Sequence, residues 1–593
     1  MKELEYPFDA EYILRKKKQI KRKLLSCTDN YIKKKVAILG GSTTNDIKLV
    51  LELFLLNYGI QAEFYESEYN QYYQDAVFEN EVLETFEPDL IYIFTTNRNI
   101  SRYPSMADSK DTIDLLLENE MIRFKTIWES IEKRYHCPVI QNNFEMPSYR
   151  LLGNKDASDI HGKINFLTRL NMFFYEYAQQ HENFFICDIN YISADYGLNE
   201  WSDPFYYHMY KYALNVAAIP YLVFNVANII KSVFGKNKKG LVLDLDNTLW
   251  GGVVGEDGVE GIKIGPEQSQ GQVYSEFQRY VKELKQLGIV LNIDSKNDYE
   301  NAIKGLQHPD SELNPKDFVV IKANWNPKDQ NFAEIAEQLN ILPESLVFID
   351  DNPAERHIVT KQLPGVSAPE IEDVQNYIKI IDRSGFFEVT TLSDDDLKRN
   401  EMYTENAKRQ ELQGKFADYK EYLISLKMVG RIKPFEPIYM ARIAQLTNKS
   451  NQFNLTTKRY TQAELEKITS DKNYITLYGK LVDSFGDNGV VSVVIGHKIE
   501  NICHIDLWLM SCRVLKRDME YAMMDKFVQV CVGQGIEEIR GYYYKTKKNH
   551  MVEKFYEGQG FEKIREDDIG NTEWKLTNLK VYQNKNTVIK LEE

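Results

Sequence analysis

The chain has 593 residues, 43% hydrophobic and 27% charged, a composition ordinary for folded globular protein and long enough for three or four domains. Its formal net charge of −15 argues against a generic nucleic-acid surface, and the basic run 15–23 (RKKKQIKRK) reads as one solvated helix face. No uninterrupted apolar run reaches a membrane span, the N-terminus lacks an apolar signal core, and the cysteines at 27, 137, 187, 503, 512 and 531 show no metal-ligand spacing, so the expectation is a cytoplasmic protein with buried thiols.

After a charged first helix, KVAILGGSTTN (35–45) reads as strand, tight turn and helix start, with Thr44 or Asn45 as cap. QAEFYES (61–67), DLIYIFTTN (89–97), PVIQNNF (138–144) and NFFICDINYIS (183–193) are further strands, separated by helical stretches at 110–134 and 157–181. Strand alternating with helix implies a parallel sheet. The apolar stretch 212–234 is interrupted by Asn215, Pro220, Asn225 and Asn228 and reads as a core helix. Ser42 follows two glycines at the end of the first strand, Asn97 ends a later one, and Asp203 precedes His208 in WSDPFYYHMYK. This order resembles the SGNH-hydrolase fold, which implies a serine nucleophile activated by a late histidine. The chain departs from that pattern with GGS in place of GDS, and with a wider Asp203–His208 spacing. The reading for 1–235 is therefore a non-hydrolytic SGNH-like or flavodoxin-like domain with Ser42 as a turn residue.

Residues 236–385 repeat one pattern. GLVL (240–243) ends in Asp244, Leu245, Asp246, Asn247; IVLNI (289–293) ends in Asp294, Ser295, Lys296, Asn297; FVVI (318–321) leads to Lys328 at a helix start; LVFI (346–349) ends in Asp350, Asp351, Asn352. Continuous apolar runs are buried parallel strands, and ligands sit at their carboxyl ends. Collecting carboxylates there is costly unless a cation joins them.

DLDNT, SKND, the isolated Lys328 and FIDDNPAER resemble the four motifs of the haloacid dehalogenase (HAD) superfamily, in its FkbH-like, subclass IIIC branch. The resemblance implies a Rossmann-like domain in which Asp244 attacks a phosphoryl group and Asp246 serves as general acid and base. It implies Mg²⁺ held by Asp244, the main-chain carbonyl of Asp246 and Asp350, with Asp351 an alternative to Asp350. Ser295 and Lys328, with Asn247, would bind phosphoryl oxygens. The stretches from Asp246 to Ile293 and from Ser295 to Lys328 are too short for a cap domain, and 251–261 suits a small β-hairpin flap. The expected site is open: its phosphate is carried on something large, or a second domain is its lid. Some members of this branch load glyceryl units onto a carrier thiol through a nearby cysteine. Here no cysteine lies between Cys187 and Cys503, and Asp294 precedes the motif-two serine.

Beyond a charged helical linker (392–412), strands are expected at 427–435, 474–483, 490–499, 503–515 and 537–544, with helices at 438–447, 518–533 and 549–558. The order resembles a GNAT acyltransferase, an α+β fold. CRVLKRDME (512–520) stands where that family holds an acyl-CoA pyrophosphate, with Arg513 present but Lys516 and Asp518 in place of small residues. KNHMVEKFYEGQGF (548–561) matches the closing pattern, implying acyl-CoA contacts from Arg513 and Asn549 and a general acid in Tyr556. Asn451, Asn454, Thr456, Thr457 and Arg459 form a polar cluster, read as an acceptor-site loop or as helix capping.

The sequence thus predicts three α/β domains: an SGNH- or flavodoxin-like parallel sheet (1–235), a HAD domain without a large cap (236–385), and a linker with a GNAT-like domain (386–593). The expected activity is Mg²⁺-dependent phosphatase or phosphotransferase chemistry, coupled to acyl transfer in polysaccharide or secondary-metabolite synthesis. An acyl carrier protein is a candidate partner; nucleic acid and membrane insertion are not expected. The alternatives are a stand-alone phosphatase with recognition domains, and an inert scaffold that binds an acyl carrier.

Overall fold

A computed structural model describes residues 1–27, 31–450, 452–546 and 548–592. Asn451 of the polar cluster lies outside the described residues, as does the side chain of Cys27. The chain forms two compact units, Met1–Lys236 with Glu388–Thr391, and Asn237–Phe387 with Leu392–Glu593.

The first unit holds a five-stranded parallel sheet of β1 (Ile32–Gly40), β2 (Ile60–Glu66), β3 (Leu90–Phe94), β4 (Val139–Asn142) and β5 (Phe184–Cys187), in the order β2-β1-β3-β4-β5. This is the flavodoxin-like doubly wound order, whose switch point lies between β1 and β3. Every residue of β3 is buried, as a strand covered on both faces must be. The turn after β1 is tight: the Asn99 side chain donates to the Gly41 carbonyl at 2.8 Å and fills the space a Cβ at Gly41 would need. The stretch 216–233 is long and apolar enough to cross a membrane by length and composition alone. It lies mostly buried, with Leu222, Val226 and Ile230 in the core and Asn228 accepting the Tyr58 hydroxyl at 2.7 Å.

In the second unit, β6 (Gly240–Leu243), β7 (Val290–Ser295), β8 (Val320–Ala323) and β9 (Leu346–Ile349) form a parallel sheet ordered β8-β7-β6-β9. Register does the functional work. Leu243 pairs with Ile293 on one side and Ile349 on the other, so the next residues, Asp244, Asp294 and Asp350, emerge at one level. All of β6, β7 and β9 is buried, which leaves those carboxyl ends as the place where the chain can turn toward solvent.

The same unit contains a second, mainly antiparallel sheet. It comprises β10 (Val429–Lys433), β11 (Phe453–Asn454), β12 (Tyr474–Asp483), β13 (Gly486–Ile499), β14 (Ile502–Met510), β15 (Glu538–Tyr543), β16 (Glu562–Glu566), β17 (Thr572–Leu576) and β18 (Lys590–Leu591). Its path is β16-β17-β15-β14-β13-β12-β10-β18. β14 and β15 pair in parallel over Ile502–His504 and Glu538–Arg540, then diverge. The gap is filled by the chain itself: β11 pairs with Leu509 and Met510, Leu455 N donates to Trp508 O at 3.0 Å, and Tyr544 N donates to Leu455 O at 2.8 Å.

The charged linker is the helix Arg399–Gln413, which packs against β7 of one sheet and β13 of the other. Its Asn400 side chain donates to the carbonyls of Lys285 and Ile289. Farther along, Arg409 donates to Asp483 at 2.7 Å, and Tyr403 joins the core of Val242 and Phe348. Asn340 reaches Cys512 O at 2.6 Å and Lys548 pairs with Glu344 at 3.0 Å.

Candidate active site

The strand-end residues converge. Lys328, buried at the first position of the helix Lys328–Gln338, places its Nζ 2.9 Å from Asp244 Oδ1 and 2.5 Å from Asp350 Oδ2. Carboxylate oxygens of Asp244, Asp350 and Asp351 all lie within 4.8 Å of one another. Burial opposes the lysine's charge, but Asp244 and Asp350 outweigh it and hold its pKa above the ordinary value. Burial first, then the Asp244 charge, raises the pKa of both Asp350 and Asp351. Three carboxylates share one lysine, so the cluster carries excess negative charge behind an all-oxygen donor set. That set fits a small hard divalent cation held by Asp244, Asp350 and Asp351.

Asp246 is fixed on both oxygens. Oδ1 accepts from Trp250 Nε1 at 2.9 Å and Val254 N at 3.0 Å, and Oδ2 accepts from Asn297 Nδ2 at 3.0 Å. Burial, followed by the charge of Asp244, raises its pKa, which favours a proton-carrying form. The flap differs from the expected β-hairpin. One antiparallel bridge, Gly251 to Lys263, closes it, and Val254–Asp257 makes a single helical turn because Asp257 accepts from Val253 N at 2.8 Å.

Asn247 stands at φ 55°, and its side chain accepts from Gly252 N at 2.9 Å. Its side-chain oxygen therefore braces the flap, while its Nδ2 is the donor it would turn toward a phosphoryl oxygen. Ser295 ends β7 beside Ala323 of β8, buried, with its carbonyl accepting from Asn297 N and Asn324 N. Its neighbour Asp294 is fully buried; one oxygen accepts from Asn331 Nδ2 at 3.0 Å and the other has no hydrogen-bond partner. Burial pushes this carboxyl up to about 8.

Several supporting residues were missed in the sequence. Arg356 donates to the carbonyls of Asp350 and Asp351 at 2.6 and 2.9 Å and so fixes the motif-four turn. Thr248 Oγ1 accepts from Asp351 N at 3.2 Å. Trp250, Asn297 and Asn331 complete the frame. Each lies within or just after a motif already singled out, but local sequence does not show which carboxyl it meets.

The other candidates are differently placed. Ser42 is buried with no hydrogen-bond partner for its hydroxyl, His208 is exposed, and Asp203 caps the helix Pro204–Tyr210 through Phe205 N. No Ser–His–Asp chain is assembled among them. Thr44 occupies the expected cap position but sends its hydroxyl to Glu66 at 2.6 Å.

In the C-terminal sheet, Arg513 is buried, bonded to Ser511 Oγ at 3.2 Å and directed at Met402 of the linker helix, not into an open cleft. Asn549 donates to Asn454 O and Tyr544 O and accepts from Thr546, pinning the inserted segment. Tyr556 is 1% exposed and packs under Gly541, where a Cβ would strike its ring. Its hydroxyl lies against the Tyr542 backbone without a hydrogen bond of normal geometry, and burial raises its pKa. These three positions correct the expected acyl-CoA site: their polar groups face the protein's own interior. The polar cluster is likewise internal: Asn454 donates to Ser450 O and accepts from Thr457 N, Thr456 donates to Asp506 O, and Arg459 donates to Asn448 O.

Residues 35–231 match the family described as FkbH, N-terminal domain. The solved N-terminal part of the protein BF1531 from Bacteroides fragilis, described as containing a phosphatase domain complexed with Mg, is 32% identical, with a TM-score of 0.59. That match covers 65% of this chain and 100% of the BF1531 fragment. Ard1 from Thermoplasma volcanium is 20% identical over 25% of this chain and 97% of its own, at a TM-score of 0.21. The ribosomal-protein-S18-alanine N-acetyltransferase from Escherichia coli is 9% identical over 25% of this chain and 94% of its own, at a TM-score of 0.20. No curated protein matches the chain.

Proposed function

This chain belongs to the FkbH-like family of HAD-type phosphatases, and from that premise we propose that it hydrolyses or transfers the phosphoryl group of a phosphate ester through an aspartyl-phosphate at Asp244. The observation that carries the reading is the convergence of Asp244, Asp350 and Lys328, with Asp246 held beside them by Trp250, Val254 and Asn297.

Asp244 attacks phosphorus, forming its P–O bond as the ester P–O bond breaks. Asp246 gives its proton to the departing oxygen. It then takes a proton from the water that attacks the aspartyl-phosphate, which releases phosphate and restores Asp244. Lys328 and Ser295 hold phosphoryl oxygens and offset their charge. Asp244, Asp350 and Asp351, with the Asp246 carbonyl, would hold Mg²⁺, which supplies Lewis-acid neutralisation of phosphoryl charge when bound. Arg356 and Thr248 keep the motif-four turn in place.

The coupled acyl transfer implied by the C-terminal resemblance has less behind it, since Arg513, Asn549 and Tyr556 are committed within the chain. In this reading the 392–593 segment serves recognition, with an acyl carrier protein as the partner that resemblance suggests and a biosynthetic setting as its context.

The test is phosphate release by the full chain with Mg²⁺ from p-nitrophenyl phosphate and acetyl phosphate. Release is expected from the native protein and not from Asp244→Asn. Undiminished release by that variant overturns the assigned nucleophile. Release of free CoA thiol from acetyl-CoA, dependent on Tyr556, would restore acyl transfer to the reading.

A further inference from the structure

A pocket of about 440 Å³ opens beside the carboxylate cluster and shares Asn247 and Asp351 with it. That volume falls within the roughly 300–1,000 Å³ typical of small-molecule sites. It is large enough for a leaving group next to the phosphoryl position, and it lies within the second unit.

Its lining is chemically one-sided. Tyr274 and Tyr377 are buried in its wall and donate their hydroxyls to the Asn247 carbonyl, at 3.4 and 3.3 Å. Gln270, Gln375 and Ser269 are exposed on its rim and offer amide and hydroxyl groups. Glu372 and Asp373, also exposed, place two carboxylates on the rim, while that of Asp351 belongs to the cation site. Among the described residues, no lysine, arginine or histidine lines the pocket. The cation that approaches it, Lys263, donates to Gln270 Oε1 at 3.0 Å.

A leaving group with its own carboxylate or second phosphate would meet carboxylates on the rim and no basic side chain to receive it. Hydroxyl groups would find amide and hydroxyl partners, and an ammonium would find carboxylates. Resting on the phosphatase reading, we infer that the substrate is the phosphate monoester of an amine-bearing polyol, the chemistry of an amino-sugar phosphate, and not an anionic phosphoglycerate. Glu372 and Asp373 are its specificity-determining residues.

The test uses the full chain with Mg²⁺ and three esters: glucosamine 6-phosphate, glucose 6-phosphate and 3-phosphoglycerate. The expected order of kcat/KM is amino sugar, then neutral sugar, then phosphoglycerate, with phosphoglycerate at least about tenfold below the neutral sugar. Equilibrium binding to the Asp244→Asn protein should follow the same order without turnover. Glu372→Gln and Asp373→Asn together should shrink the preference for the amino over the neutral sugar by about three- to fivefold, the scale of exposed ion pairs. Equal or better use of phosphoglycerate overturns the inference, as does an unchanged amino-to-neutral ratio in the double variant. If acetyl phosphate is cleaved but none of the three esters is, the inference fails while the phosphatase reading stands. If acetyl phosphate is also untouched, the phosphatase reading fails first.

Discussion

At the carboxyl ends of β6, β7 and β9 the chain brings like charges together and leaves them to a single lysine. At the diverging ends of β14 and β15 it does the opposite, closing its own backbone and polar side chains onto one another. Both are places where parallel strands leave unpaired groups that need partners. In the first, Asp244, Asp350 and Asp351 have more negative charge than Lys328 offsets. In the second, the 453–455 segment and Asn549 satisfy the opening strands from within. Unbalanced charge is held at a cost that ligand binding can relieve, whereas an internally paired gap already lies near its minimum. Family resemblance marked both places as sites, and the first is where the described residues leave charge that a bound cation would offset.

The sharpest way to break this contrast is at its nucleophile. Asp244→Asn should lower phosphate release by at least about 10³-fold, as loss of a covalent nucleophile does, with the far-UV spectrum unchanged. Next, Asp246→Asn should cost roughly 10²–10⁴-fold in kcat, the range for a general acid–base. Lys328→Met should destabilise the protein by about 3–5 kcal/mol in EDTA, because it strands buried carboxylates, and added Mg²⁺ should recover part of this in urea unfolding. An equal loss with and without Mg²⁺ would mean that the lysine, and no cation, is what the carboxylates are built around.

Smaller effects sharpen the comparison. Asp294 binds its proton more tightly folded than unfolded, with its carboxyl raised to about 8. Its ionisation therefore works against the native state, and stability falls as pH rises from about 4 to 8. Asp294→Asn should flatten that slope in urea midpoints measured across the interval. In the C-terminal sheet, Asn549→Ala should cost about 1–3 kcal/mol by leaving buried carbonyls unpaired. By contrast, Tyr556→Phe should fall within about 0.5 kcal/mol of the native protein, since its hydroxyl makes no hydrogen bond of normal geometry. Neither change should alter phosphate release.

Much of the first site was legible in the sequence because its strands are uninterrupted apolar runs that end abruptly in charge. Leu241–Leu243 and Leu346–Ile349 admit one reading, buried parallel strands, so the carboxyls after them had to share one end of a sheet. The frame was not legible. That Trp250, Val254 and Asn297 all reach Asp246 depends on how the flap and the turn after β7 fold over it, which local sequence does not show. The self-filled gap was harder still. Phe453–Asn454 is a two-residue strand in a polar loop, too short for any periodicity, and its partner on β14 lies more than fifty residues away.

The sequence by itself determined that four strand ends would carry carboxylate, hydroxyl, lysine and carboxylate, because that follows from local apolar runs and the residues next to them. Only the tertiary structure decided what those groups meet. The register of β6 against β7 and β9 sets three aspartates at one level, and Lys328 reaches two carboxylates from the start of a separate helix. It also decided that Asn549 turns inward to the segment that fills the open strand ends, that Arg513 turns to Ser511 and the linker helix, and that Tyr556 packs under Gly541.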